Sequence, residues 1–494
     1  MRRTFKVIDL FAGAGGFSQG FMQVEGMGGV PGFEIIRAVE VDRAACETLR
    51  LHLAGQDIPV ERVVLEGNLE SETVKQQVIK DGQGVDVIIG GPPCQTFSLA
   101  SPARCGKEEL RQRLQNDSRD RLYRYYIEIV EGIKPGFVVF ENVEGIMSKR
   151  ITYETTGEEK RAIELVIEGL RSIGYDTSVI VDGKKNDFLI LNAADFGVPQ
   201  IRRRVIVIAN RLGIPNPVPK PAFGTRDTRP YRTLASAISH LPVVLPPLNT
   251  VKFEKLKKLE LVAEYPSEYL YYFVRAIIHL AQKSKGTPVE NELSKLASVA
   301  QKSYREVECC RGNRITALRK FADTYNDNLN GLNGEIYDQS KFPAPHIARP
   351  HNIRDICIFA RMKSGVNSAR FMRKDSRDYD RFLAMIYPYS TKNHRDTYVR
   401  QSWTSPSTTI LSHMNRDGLK FIHPDQPRTF TPCEAALIQS FSSSSKFKGT
   451  RSEVFWQIGN AVPPLMARAI GEAIYTALIE YYSESYLPEQ FILK

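Results

Sequence analysis

Cys94 stands in Gly90-Gly91-Pro92-Pro93-Cys94-Gln95-Thr96-Phe97-Ser98, directly after the apolar run Val85–Ile89. A thiolate is a strong nucleophile, and the end of a strand in an α/β sheet is where reacting groups collect. The two glycines leave this turn mobile on one side, and the two prolines stiffen it on the other. A second constellation lies upstream, where Val7-Ile8-Asp9-Leu10 runs into Phe11-Ala12-Gly13-Ala14-Gly15-Gly16-Phe17. A strand, a glycine turn and a helix start let backbone approach a ligand closely, with helix N–H groups facing it. Glu40 closes the next apolar run, in Ala38-Val39-Glu40-Val41-Asp42, where a carboxylate can accept from both hydroxyls of a ribose. The pattern departs from G-x-G-x-x-G, which disfavours a dinucleotide. A nucleoside ligand fits, and the spacing alone does not separate NAD from S-adenosylmethionine.

The elements that must position these groups form a β-α rhythm over the first part of the chain. Strands are predicted at Lys6–Leu10, Ile35–Glu40, Val63–Leu65, Val85–Ile89, Phe137–Glu141 and Val205–Ala209, with helices at Arg43–Leu53, Arg121–Glu131 and Ile163–Ser172. Strands alternating with helices imply an α/β fold with a doubly wound, mostly parallel sheet. Pro215, Pro217, Pro219 and Pro221 then mark a domain exit. Beyond it the rhythm disappears into helices at about Glu254–Ala263 and Tyr269–Gln282 and a stretch dense in Arg, Lys, Asn and Tyr; a helix is predicted again over Ala461–Glu480. The reading is a catalytic and cofactor-binding domain over 1–212 and a second, smaller domain over 213–399. Residues 400–432 form a hinge and return, and 433–494 complete the first domain.

Lys and Arg number 67 against 56 Asp and Glu in the 494 residues, a net charge of +11 that suits a polyanionic partner. The seven cysteines are odd in number and form no C-x-x-C pair, so neither a zinc site nor a disulfide framework is supported, and no metal is expected. No leader and no membrane-spanning run is read. A cytoplasmic, nucleoid-associated monomer is expected.

Further blocks follow in order: Glu141-Asn142-Val143, Gln200-Ile201-Arg202-Arg203-Arg204, Arg400 through Ile410 with Trp403, Pro406 and Thr409, and Gln457-Ile458-Gly459-Asn460-Ala461-Val462-Pro463. With the glycine turn and the Cys94 loop, they make the chain resemble the DNA (cytosine-5)-methyltransferase family, in particular bacterial type II restriction–modification methylases. The resemblance implies the methyltransferase fold with a DNA-recognition domain, S-adenosylmethionine as cofactor and double-stranded DNA as partner. It also implies host protection beside a cognate endonuclease that need not touch the enzyme. Catalytic roles fall to Cys94, Glu141, Arg202 and Arg204: the thiolate adds to carbon 6 of a flipped cytosine, Glu141 serves ring nitrogen 3, and Arg204 assists attack and contacts the base. Cofactor contacts carry over to Phe11, Ala12, Gly13, Gly15, Gly16, Phe17, Glu40, Val41, Asn68, Leu69, Pro92, Leu122, Asn460 and Ala461. DNA contacts are expected at Gln95, Ser98, Gln200, Arg361, Lys363 and Arg370, with more phosphate contacts along the segment carrying Arg104, Lys107, Arg111, Arg113, Arg119 and Arg121.

Two positions depart from the family pattern. Asn68 stands where the family has an aspartate to accept from the adenine amino group, and Thr431-Pro432-Cys433-Glu434 lacks the arginine that usually precedes the glutamate. A transfer-RNA methyltransferase of the same fold and a catalytically silent DNA-binding regulator are the alternative readings. The large middle region and Pro-Cys-Gln argue against the first, and intact Cys94, Glu141 and Arg204 against the second.

Overall fold

A computed structural model describes residues 3–54, 59–93, 122–152, 159–251, 253–389 and 396–484. Cys94, Gln95, Ser98 and the arginine-rich segment after them lie outside the described residues. The strands are β1 (Phe5–Leu10), β2 (Phe33–Glu40), β3 (Val64–Glu66), β4 (Val87–Gly90), β5 (Phe137–Val143), β6 (Arg150–Thr152), β7 (Glu159–Arg161), β8 (Val179–Val181), β9 (Lys184–Asn186), β10 (Leu189–Asn192) and β11 (Arg203–Asn210). Seven form one sheet in the order β10-β11-β5-β4-β1-β2-β3, while β6-β7 and β8-β9 are small separate pairs. From β3 to β5 every pairing is parallel, and β11 runs antiparallel to both of its neighbours. The sheet is doubly wound and mostly parallel. Each strand read from an apolar run is present with its ends within two residues, and β10 is an addition.

Alternation along each strand sends side chains to opposite faces. Val7, Val87, Ile89, Val139, Ile206 and Ile208 enter the core on one face. Ile8, Ile88, Val138, Phe140, Val205 and Val207 enter the core on the other. Both faces are therefore apolar, as expected of a sheet covered on both sides. Helices Leu122–Ile133 and Ala162–Ser172 cover the second face, and the buried Tyr126 hydroxyl donates to the Val139 carbonyl at 3.0 Å. The first face is closed by helix Gly16–Met22 and by the C-terminal helix Pro464–Glu484. These two touch so closely at Gly20 that a Cβ there would lie 2.4 Å from Ala467 Cβ and 2.5 Å from the Pro464 carbonyl oxygen.

Residues 245–422 build another apolar core, centred on helices Leu270–Lys283, Glu290–Glu308, Arg314–Asp327 and Ile353–Arg361. The helix expected over Glu254–Ala263 is shorter, Leu259–Glu264. Lys258 sits at φ 64°, a left-handed conformation that ends the run on its N-terminal side. A fourth core joins Ala14 and Leu234 to Ile410, Phe421, Phe430, Ala435, Phe455 and Ala461, so the chain from 410 to 461 packs beside the glycine turn. Among the described residues no helix is long and apolar enough to cross a membrane.

Candidate active site

β1, β2, β4 and β5 all point their C-terminal ends to one edge, and β1 and β4 lie side by side where the winding reverses. That switch point is the ligand crevice of such sheets. β1 leaves it through Phe11 at φ 59°, Gly13 at φ 55° and Gly15 at φ 76°, and Gly15 caps helix Gly16–Met22. A Cβ on Gly13 would meet nothing within 4 Å, so its surroundings are open. By contrast, a Cβ on Gly16 would lie 2.3 Å from the Val462 carbonyl oxygen and 3.2 Å from Ala461 Cβ. The Asn460–Val462 segment is thereby held against the turn, with Asn460 exposed at the end of helix Arg451–Asn460.

Glu40 is buried at the end of β2. Its Oε2 accepts from Gly13 N–H at 2.8 Å, and Oε1 accepts from the N–H groups of Val41 and Asp42 at 2.8 and 2.9 Å. Burial raises its pKa, and the three backbone donors partly oppose that shift. Val41 follows with 63 % of its surface exposed, an apolar platform where a base could rest. Ala12 and Phe17 are buried against the sheet, while Leu69 is buried in the same core that Phe11 packs against. Asn68 is exposed, and its Oδ1 accepts from Glu70 N–H at 3.0 Å. Leu122 is buried at the start of its helix. The open glycine turn, the buried carboxylate and the exposed apolar side chain beside it fit a nucleoside cofactor.

At the neighbouring strand ends, Glu141 lies opposite Ile206 and Arg204 opposite Val143. Residues two apart share a face, so Glu141 and Arg204 are diagonal neighbours across the antiparallel pair. Arg204 Nε contacts Glu141 Oε1 at 2.9 Å, with side-chain exposures of only 10 % and 9 %. Burial raises the Glu141 pKa even though the Arg204 and Arg202 charges and the Arg204 hydrogen bond act to lower it. Its other oxygen, Oε2, faces β4: a Cβ on Gly91 would lie 2.8 Å from it. Asn142 Nδ2 donates to the carbonyl of the buried Pro92 at 3.3 Å. The described part of the Cys94 loop thus begins against the Glu141 carboxyl.

Three expected contacts take other roles. Arg202 is almost fully buried, and its guanidinium donates to the carbonyls of Ile410, Gly459 and Ala461 at 3.0, 2.8 and 3.1 Å. It clamps the C-terminal segment to the sheet. Gln200 is fully buried, donating to Gln439 Oε1 at 2.5 Å and accepting from Ile410 N–H at 2.7 Å, so it is not open to DNA. Arg361 is ion-paired to Glu268 and Asp380, each at 2.8 Å, and lies over the Tyr272 and Phe382 rings. Its charge is spent inside the helical body. Lys363 is exposed, and Arg370 is half-exposed with an ion pair to Asp378.

Sequence reading passed over two buried groups. Asp9 accepts from Ser18 Oγ at 2.5 Å beneath the glycine turn, and burial pushes its pKa up to about 7. Its place in an apolar strand next to a glycine turn is the signal that could have marked it. The second group is Arg428, whose bidentate bonds hold the buried Glu434 at 2.8 and 2.7 Å.

A glycine turn that fits a nucleoside and a buried carboxyl–guanidinium pair lie at one sheet edge, as in a cofactor-dependent enzyme. The chain matches the family model for C-5 cytosine-specific DNA methylases over residues 5–476, and it belongs to that family. Its activity is DNA (cytosine-5-)-methylation, and the methyl donor implied by the family is S-adenosylmethionine. The chain is 28 % identical over 477 residues to the type II methyltransferase M.XorII of Xanthomonas oryzae, covering 95 % of this chain and 84 % of that one. It is 28 % identical over 507 residues to the type II methyltransferase M.AgeI of Thalassovita gelatinovora, covering 96 % and 100 %. The type II methyltransferase M.AquIA of Picosynechococcus is 35 % identical over 263 residues, covering 49 % of this chain and 91 % of its own. A crystal structure described as a DNA modification methyltransferase from an E. coli prophage aligns with TM-score 0.52 and 22 % identity, covering 96 % of this chain and 100 % of that one. That likeness is one of fold.

Proposed function

We propose that the protein methylates carbon 5 of a cytosine turned out of a specific duplex sequence, through a covalent bond from Cys94 to carbon 6. Its biological task is protection of host DNA in restriction–modification, acting as a cytoplasmic monomer, with residues 213–399 reading the target. The observation that carries the reading is the buried Glu141–Arg204 pair, with Glu141 Oε2 turned to Gly91 at the root of the Cys94 loop.

Carbon 5 of cytosine is a weak nucleophile, and adding a thiolate at carbon 6 makes the ring an enamine with electron density at carbon 5. Glu141, favoured in its neutral form by burial, donates a proton to ring nitrogen 3 as the carbon–sulfur bond forms. Arg204 holds Oε1 and leaves Oε2 for the base. A thiol ordinarily has a pKa of about 8.5, and in this reading the Arg204 guanidinium aids Cys94 toward thiolate. Gly13, Glu40, Val41, Asn68 and Asn460 would hold S-adenosylmethionine, which would supply an electrophilic methyl group to carbon 5. Carbon 5 then loses its proton to water, the carbon–sulfur bond breaks to release Cys94 as thiolate, and ring nitrogen 3 returns its proton to Glu141 as aromaticity is restored. None of this is reachable in a stacked duplex, so the base must be flipped.

The test is incubation of the purified protein with radiolabelled cofactor and mixed-sequence duplex DNA. The expected product is 5-methylcytosine, and its absence overturns the reading. DNA containing 5-fluorocytosine should trap a covalent complex that Cys94→Ala does not form. Bisulfite sequencing of a host expressing the protein reports the target sequence.

A further inference from the structure

The segment from Phe441 to Lys448 lies across the helices that flank the cofactor turn. Ser445 Oγ donates to Gln19 Oε1 at 3.4 Å, Lys446 N–H to His52 Nε2 at 3.1 Å, and Lys448 N–H to Thr48 Oγ1 at 2.9 Å. The segment is itself anchored, because Lys446 Nζ donates to the carbonyls of Ser340 and Phe342, both at 2.8 Å. The His52 ring packs against Phe441 and Phe447, with centroids at 5.8 and 5.1 Å.

Nδ1 of His52 lies 2.7 Å from the Ala14 carbonyl oxygen, in the middle of the glycine turn. Since Nε2 accepts from Lys446, the ring proton sits on Nδ1 and is donated to Ala14. A protonated ring would set a donor against the Lys446 N–H, and burial holds the His52 pKa down at about 4. Ala14 stands between Gly13 and Gly15, both at positive φ. Glycines on each side give the turn many alternative conformations, and an ordered turn must be held from outside.

We propose that His52 is a positioning residue for the cofactor: its bond to Ala14 fixes the glycine turn against the 441–448 strap and prepares the turn for the nucleoside. The inference rests on the reading of Phe11–Gly16 as the cofactor turn. A ligand that finds its site already ordered binds more tightly than one that must order it.

His52→Phe keeps a ring between Phe441 and Phe447 and loses both hydrogen bonds. His52→Gln keeps one donor and one acceptor. Calorimetric titration with S-adenosylhomocysteine is expected to show about tenfold weaker binding for His52→Phe, the worth of one or two hydrogen bonds. His52→Gln should recover most of that loss, while duplex DNA affinity stays at the wild-type value in both. Hydrogen exchange of the full-length protein without ligand should show faster exchange at residues 11–18 in His52→Phe alone. Equal S-adenosylhomocysteine affinity in wild type and His52→Phe overturns the proposal, as does a Gln variant that binds as weakly as Phe. If the wild type does not bind S-adenosylhomocysteine, the cofactor reading fails, and the exchange experiment still decides whether His52 orders the turn.

Discussion

Replacing Arg202 by Met distinguishes a clamp from a catalytic group. The arginine spans three carbonyls, and Met fills a similar volume with no donors. The Ala461 carbonyl keeps a partner, because Gln439 Nε2 also donates to it at 2.7 Å. The carbonyls of Ile410 and Gly459 lose the Arg202 donor, and a buried acceptor left unmet costs about 1–3 kcal/mol. Two of them give a loss of roughly 2–6 kcal/mol, offset in part by no longer burying a guanidinium. The expected outcome is destabilisation of about 3 kcal/mol in urea unfolding, with weaker cofactor binding because the Asn460 segment loosens. At low temperature and saturating cofactor, the folded fraction should methylate DNA at nearly the wild-type rate. A variant with a wild-type unfolding midpoint and no methyl transfer would place Arg202 at the reacting atoms and refute the reasoning.

Glu141→Gln should slow single-turnover methyl transfer by about 10²–10⁴-fold while leaving S-adenosylhomocysteine binding intact. Since Glu141 acts as a donor from a raised pKa, wild-type turnover should fall toward alkaline pH, and a flat profile would count against that role. Asp9→Asn tests the carboxyl under the turn. With the Asp9 pKa raised from 3.8 to about 7, the folded state holds the proton more tightly than the unfolded chain does. Its contribution to stability is full below about pH 4 and is lost as pH rises to about 7. Asp9→Asn should therefore gain on wild type at pH 8 relative to pH 5 in urea unfolding, and an equal difference at both pH values refutes the assignment. Asn68→Asp keeps an acceptor for Glu70 N–H and adds a charge toward the adenine amino group, so S-adenosylhomocysteine should bind about three- to tenfold more tightly by calorimetry.

The parallel core of the sheet was legible because its strands are buried on both faces and read as unbroken β-branched runs. β10 was not: Leu189–Asn192 is four residues long and follows the polar Lys184-Lys185-Asn186-Asp187. Glu40 and Glu141 were legible because each stands at or near a strand end in a recognisable block. Gln200 and Arg202 share their block with Arg204, yet only Arg204 faces the site. Their partners at 410, 439, 459 and 461 are too distant in sequence for spacing to reveal. Arg361 looked like one of a basic cluster because its carboxylates, at 268 and 380, lie on other elements. His52 carries no local pattern, since its partners at 14 and 446 meet only in the fold.

The Arg202 clamp also sets a clock on synthesis. Its acceptor Gly459 lies 257 residues further along the chain, an interval that takes about 13–50 s at ~5–20 residues per second. Throughout that time Arg202 lacks these acceptors, and the groove beside Gly16 and Gly20 waits for the Ala461–Arg468 stretch that fills it. A nascent chain cannot close this groove before helix Pro464–Glu484 emerges. A copy that stops short of Gly459 has neither this acceptor of the Arg202 clamp nor the cover over the groove beside Gly16 and Gly20.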